Sequence, residues 1–112
     1  MSIRIVNLRN YKLLPGEILI KVDRSTPVGN PFHMASENQR DLVCDQYQEY
    51  FDNRVAFERK HLNTPGADTS FLNYLTEIGK YCEDYDVALG CWCYPKRCHA
   101  ETIKSYIESY LK

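Results

Sequence analysis

Two short runs near the start of the chain, IRIVNL at 3–8 and EILIKVD at 17–23, interleave Ile, Val and Leu with polar residues between turn formers. That pattern predicts two strands. LLPG breaks the chain between them, and the gap is too short for a helical crossover. As neighbours the two strands are expected to pair antiparallel. RSTPVGNPFHMAS at 24–36 holds two prolines and a glycine and reads as a loop. Ser36, with Gln39 three residues on, forms a capping-box pattern. Val43, Tyr47, Tyr50, Phe51 and Val55 then recur at helical spacing, and the helix is predicted to reach about residue 60. NTPGADTS at 63–70 interrupts it. A second helix carries Leu72, Leu75, Ile78 and Cys82 on one side, weakened slightly by Gly79. DVALGCWC at 86–93 is apolar enough for a central strand, ended by Pro95. The last helix opens around Cys98, with Ile103, Tyr106, Ile107, Tyr110 and Leu111 on one stripe.

The order β-β-α-α-β-α predicts an α/β fold. We expect a small three-stranded mixed sheet packed by three helices, on both faces, as a single domain over residues 1–112. The strand at 17–23, the two helices and the strand at 86–93 suit a right-handed parallel crossover. Ligands of such sheets collect beyond the carboxyl ends of parallel strands. Here those ends lead into the loops 23–36 and 94–99, which sets GNPFH beside CWCYPKRCH.

Composition narrows the class. A chain of 112 residues with 44% hydrophobic and 26% charged residues suits one core. No uncharged run approaches a membrane span, and the N-terminus lacks the apolar segment of a signal peptide, so a cytoplasmic location without membrane association is expected. The net charge of −1 argues against nucleic acid as a partner. Its distribution is uneven. Residues 1–35 hold five Lys/Arg against two Asp/Glu, residues 36–90 five against eleven, and residues 91–112 four against two. If the basic ends meet at one site, that site favours an anion, and the acidic middle reads as solvated helix surface.

Three of the five cysteines and one histidine fall within residues 91–99. In a reducing compartment, an odd count argues against a disulfide framework. Three readings remain open. Cys91, Cys93, Cys98 and His99 supply the ligand types of a Cys₃His zinc site, although C-x-C-x₄-C-H is not a familiar zinc spacing. Cys98, at a helix N-terminus with Lys96 and Arg97 adjacent, is a candidate nucleophile or redox thiol, with His99 or His33 as acid/base partner. The same N–H groups could instead hold a phosphate or carboxylate with Arg97. Against these stands simple packing, the preferred reading for Cys44 and Cys82 on apolar helix faces. In the loop, Gly29 and Asn30 suit a turn with positive φ. Arg24, Asn30 and His33 are polar groups placed where a ligand would be read.

VNLR near the start, DR before GNPF, an early arginine in the first long helix, and CWCYPKRCH before the last helix carry a resemblance. The chain resembles a domain-of-unknown-function family of phages and bacteria, with an approximate signature of G-R, GNPF and CWC-x-P-x-x-CH. The resemblance covers nearly the whole chain and marks Asn7, Arg9, Arg24, Gly29, Asn30, Pro31, Phe32, Arg40, Cys91, Cys93, Pro95, Cys98 and His99. The chain departs from it at Asp23 and Ala100, where glycine is common. The resemblance implies a site without implying a reaction.

The reading is therefore a small cytoplasmic, phage-type protein that binds a nucleotide-like or other anionic small molecule between the GNPF loop and the CWC–CH turn. Arg9, Arg24, Asn30, His33 and Arg97 are the expected ligand contacts. Cys98 and His99 would carry any hydrolase or transferase chemistry. The alternatives are a zinc-stabilised domain, with zinc as its only cofactor, and a non-enzymatic inhibitor that binds a host protein through Glu37, Asp41, Asp45, Glu49 and Asp52. No Gly-rich phosphate loop or HExxH motif supports a sharper class.

Overall fold

The computed structural model describes residues 2–111, apart from the side chain of Leu111. Its elements are β1 (Ile3–Asn7), β2 (Glu17–Lys21), a 3-10 turn (Glu37–Gln39), α1 (Arg40–Lys60), α2 (Ser70–Asp84), β3 (Asp86–Cys91) and α3 (Ala100–Tyr106), which continues as a π-helical turn (Ile107–Leu111). The α/β order and the three strands and three helices are as expected.

The sheet itself is not. It is parallel throughout, in the order β1-β3-β2, rather than mixed. The antiparallel expectation assumed that β1 and β2 are neighbours, but β3 lies between them. Residues 8–16 carry the chain back to the start of β2, and at about 3.3 Å per extended residue nine residues cover a five-residue strand with length to spare.

In register, Ile3, Val87 and Ile18 form one row, and Ile5, Leu89 and Ile20 the next. These rows and residues of all three helices form one core, with Tyr47, Phe51, Phe71, Leu75, Ile78, Ile103 and Ile107 almost wholly buried. The helices thus pack on one face, not both. The reverse face is crossed by residues 8–16. There Arg4 Nε donates to Glu17 Oε2 at 2.7 Å across the narrow Ala88 row, and Arg4 Nη2 donates to Lys12 O at 2.7 Å. A Cβ on Gly90 would meet the Leu8 side chain at 2.4 Å, so Leu8 packs directly over the central strand at that glycine.

Val43, Tyr47, Phe51 and Val55 of α1 are buried as predicted, with Tyr50 half-buried. The capping box does not form. Ser36 makes no cap hydrogen bond, and Gln39 Oε1 accepts instead from Ala35 N at 2.9 Å. In the last helix Ile103, Tyr106 and Ile107 are buried while Tyr110 is exposed, and the side chain of Leu111 lies outside the described residues.

The unforeseen core residue is Glu58, which continues the α1 stripe with no exposed surface. Its Oε2 accepts from Arg54 Nε at 2.7 Å, and its Oε1 accepts from Leu72 N at 2.9 Å. A carboxylate from one helix therefore caps the first turn of the next, whose amides lack intrahelical partners. Replacing Glu58 by Ala leaves both donors without an acceptor. We expect a loss of about 3 kcal/mol in urea unfolding, and a smaller loss for Glu58→Gln, which keeps an acceptor for Leu72. A loss within about 0.5 kcal/mol for Glu58→Ala would contradict the capping role.

Candidate functional site

Because all three strands are parallel, their carboxyl ends share one edge, and the loops that follow β2 and β3 leave from it together. Between them lies a cavity of about 470 Å³, lined by Asp23, Arg24, Asn30, Phe32, His33 and Met34 from the first loop and by Trp92, Cys93, Arg97, Cys98 and His99 from the second. Arg40, Val43 and Cys44 of α1 complete the wall.

Arg24 shapes the first loop. Its Nε donates to Asn30 O at 3.0 Å, Nη2 to Phe32 O at 3.0 Å, and Nη1 to His33 Nδ1 at 2.9 Å. Asn30 Oδ1 accepts from Phe32 N at 2.9 Å, a local turn made by an Asn side chain. The expected positive φ at Gly29 and Asn30 is absent: among the described residues only Gly16 and Gly66 adopt it. Gly29 is needed for a different reason, since a Cβ there would lie 2.5 Å from Arg24 Cα and from Asp23 O. Tyr47 of α1 anchors the same loop by donating to Val28 O at 2.7 Å.

The second loop is tied to the first by two side chains. Trp92 Nε1 donates to Asp23 Oδ2 at 3.1 Å, which leaves the indole face exposed at the cavity mouth. His99 Nε2 donates to Val22 O at 2.5 Å, and its ring packs edge-on against Tyr47 at 5.0 Å. Burial lowers the His99 pKa, so the imidazole is neutral with its proton on Nε2. Asn7, at the end of β1, donates to Tyr94 O at 2.8 Å and holds the turn from below.

The thiols are set by partners that the sequence did not show. Cys98 Sγ lies 3.0 Å from Cys91 Sγ, at hydrogen-bond distance. That hydrogen bond, with burial, raises the Cys98 pKa and keeps the thiol protonated. The depressed thiol is Cys91, brought down to about 6 by the Cys98 donor and by the backbone N–H groups of Cys93 and Tyr94. The Cys98 N–H is taken by Glu101 Oε2 at 3.3 Å, so a carboxylate of the chain already occupies the start of α3. Lys96 and Arg97, invoked to lower the Cys98 pKa, are committed elsewhere. Lys96 Nζ pairs with Glu37 at 3.1 Å, and Arg97 pairs with Asp41 at 3.0 Å and Asp45 at 2.9 Å.

The structure thus brings Arg24, Asn30, His33, Arg97, Cys98 and His99 to one cavity. Arg9 is exposed after β1 and does not line it. Cys91 lies beneath the wall, and Cys93, half-buried, is the cysteine on it together with Cys98 and the edge of Cys44. For the zinc alternative, among the described residues no three His, Cys, Asp or Glu side chains are grouped as a metal ion requires, and His99 has turned its Nε2 to a carbonyl. Sequence reasoning missed Trp92 and Asp23 as wall residues. Strand alternation put Trp92 opposite the cysteines, but β3 ends at Cys91, so the alternation does not reach it. Arg40, marked only by resemblance, meets Glu37 at 2.7 Å, donates to Arg97 O at 2.9 Å and reaches the Cys93 thiol, contacts that keep its guanidinium charged.

These features define an α/β protein with a ligand-sized cavity at the carboxyl edge of a parallel sheet. The chain belongs to the family described as Domain of unknown function (DUF4326), which matches residues 6–109. Comparisons with curated proteins and with solved structures return no significant match. Among the described residues no helix is long and apolar enough to cross a membrane.

Two outcomes test this geometry. In native thiol titration, one of the five thiols should react fast, and Cys93→Ser should remove that phase while Cys98→Ser does not; a fast phase lost in Cys98→Ser would restore the original assignment. For His99, the unfolded chain binds the proton more tightly than the folded one. Its contribution to stability is complete above the ordinary value of about 6.5 and is lost as pH falls below it. Denaturant midpoints measured from pH 7.5 down to about 5 should fall less steeply for His99→Gln than for the wild type. Parallel profiles would show that His99 is not held neutral by burial.

Proposed function

We propose that this protein binds a small anionic, nucleotide-like molecule in the cavity between the GNPF loop and the CWC–CH turn. The observation that carries this reading is the state of Arg24. It forms no ion pair among the described residues, unlike Arg40 and Arg97 on the same wall. Its three contacts use one N–H on each nitrogen, which leaves two of its five N–H groups to fork onto a phosphate or carboxylate.

Two further features favour a nucleotide over a bare anion. The Asn30 Nδ2 has no protein partner among the described residues, since the hydrogen bond of its side chain is made through Oδ1. It can therefore donate to a base edge or a ribose hydroxyl. Trp92, Phe32 and Met34 give an apolar flank on which a base can lie, and about 470 Å³ falls within the 300–1,000 Å³ range of small-molecule sites. On this reading the GNPF and CWC-x-P-x-x-CH segments are the two halves of one binding signature. The reading stops at binding. Hydrolysis or transfer through Cys98 and His99 has little support, because the first lies against Cys91 and not against His99, and the second spends Nε2 on Val22 O. The host-protein inhibitor draws less support as well, because Glu37, Asp41 and Asp45 are already paired with cations of the chain.

Trp92 is the sole tryptophan and sits at the cavity mouth, so its fluorescence reports directly on occupancy. Titration with nucleoside mono-, di- and triphosphates, with free nucleosides and inorganic phosphate for comparison, should give saturable quenching by at least one nucleotide. Arg24→Gln should weaken that binding about 10- to 100-fold, the usual worth of a charge-assisted hydrogen bond. Absence of saturation by every nucleotide to millimolar concentration, or binding indifferent to Arg24→Gln, would overturn the proposal.

A further inference from the structure

We infer that Cys91 and Cys98 are a redox-active dithiol, a site that a peroxide converts to an intramolecular disulfide in the folded protein. Three observations carry this. The two sulfurs lie 3.0 Å apart, at hydrogen-bond distance, and they need to approach by only about 1 Å to reach the bond length of a disulfide. The pair spans a six-residue turn from the last residue of β3 to the approach to α3, so closure asks movement of a turn and not of the sheet. The two thiols also differ in character. Hydrogen bonding from Cys98 and from the Cys93 and Tyr94 backbone N–H groups lowers the Cys91 pKa, so the pair can hold one negative charge between its two sulfurs. A thiolate facing a second thiol at contact distance is the arrangement of a disulfide-forming pair, whereas thiols buried only for packing have no such partner.

Access is asymmetric. Cys91 is almost wholly buried, but Cys98 forms part of the cavity wall, so a molecule the size of hydrogen peroxide reaches the pair from the cavity side. Proton exchange between the two sulfurs places the negative charge on Cys98. Its sulfur attacks one peroxide oxygen, the O–O bond breaks and hydroxide leaves, giving Cys98 sulfenic acid. Cys91 sulfur, now the thiol, attacks the sulfenic sulfur, the S–O bond breaks, and water leaves with the Cys91 proton. The two sulfurs together give up two electrons, and the two peroxide oxygens accept them. The product removes the acceptor that the Cys93 and Tyr94 amides share, in the same turn that presents Trp92 and Cys93 to the cavity. This inference is independent of which ligand, if any, the cavity holds.

The experiment is oxidation of the native wild-type protein with stoichiometric hydrogen peroxide, followed by acid quench, alkylation and mass analysis. The expected result is a mass lowered by two hydrogens, a peptide linking Cys91 to Cys98, and a fall from five free thiols to three, all reversed by a dithiol reductant. Cys93→Ser should behave in the same way, and Cys98→Ser should lose the linkage. Five surviving thiols, oxygen added at Cys93 without any linkage, or a linkage that includes Cys93 or Cys44 would each overturn the inference. Circular dichroism recorded before and after oxidation establishes that the protein reacts while folded. A link that forms only in denaturant counts against it.

Discussion

Every inter-strand hydrogen bond of the sheet runs through β3. Both edge strands pair with it, both in parallel, and they have no backbone pairing with each other. This one constraint fixes the rest of the architecture. Parallel pairing forces each connection to return the chain to the starting edge. One return, β2 to β3, is long enough to hold α1 and α2 and supplies most of the core. The other is a nine-residue strap over the reverse face, closed by the Arg4–Glu17 pair. All three carboxyl ends then meet at one edge, where the two chemically richest segments of the chain have to face each other.

What holds those segments at a separation that leaves a cavity is a small set of polar ties. His99 and Trp92 reach from the second loop to Val22 and Asp23, while Arg24 spans the first loop from inside. Among the ties only Asp23 and Arg24 carry charge, and they stand side by side on the cavity wall. Arg97 and Arg40 are neutralised by acidic residues around the start of α1, so the basic C-terminal segment and the acidic middle of the chain largely cancel. Arg24, whose partners are carbonyls and an imidazole, retains its charge toward the cavity. The positive site that the charge distribution suggested therefore rests on one residue rather than on the two basic ends.

The strands, the helices and the proximity of GNPFH to CWCYPKRCH were legible because each rests on local periodicity or on a simple rule of parallel α/β topology. Insertion of β3 between β1 and β2 was not, because it depends on pairing between residues 69 and 84 positions apart. One-sided packing followed from the same insertion. Gly29 was correctly singled out for the wrong reason: the turn grammar of GNP suggests positive φ, whereas the backbone of Asp23 and Arg24 passes close by. The partners of the thiols were hidden for a comparable cause. A cysteine before a helix with basic neighbours reads as activated by them, yet Glu101 takes the Cys98 amide and the Cys91 thiol lies against its sulfur, and neither relation is visible in local sequence. Glu58 shows the limit of a binary pattern, since a charged residue at a core position becomes intelligible only once Arg54 and the Leu72 amide are seen beside it.

The central claim is that the carboxyl edge of the sheet is a binding site for a nucleotide-like anion. The most direct measurement is an amide ¹H–¹⁵N spectrum of the labelled protein recorded against a panel of mononucleotides. The account predicts shifts concentrated at residues 23–34 and 92–99, reached from two separate parts of the chain by one ligand. Shifts confined to the exposed acidic side of α1, or an unchanged spectrum at millimolar ligand, would contradict it.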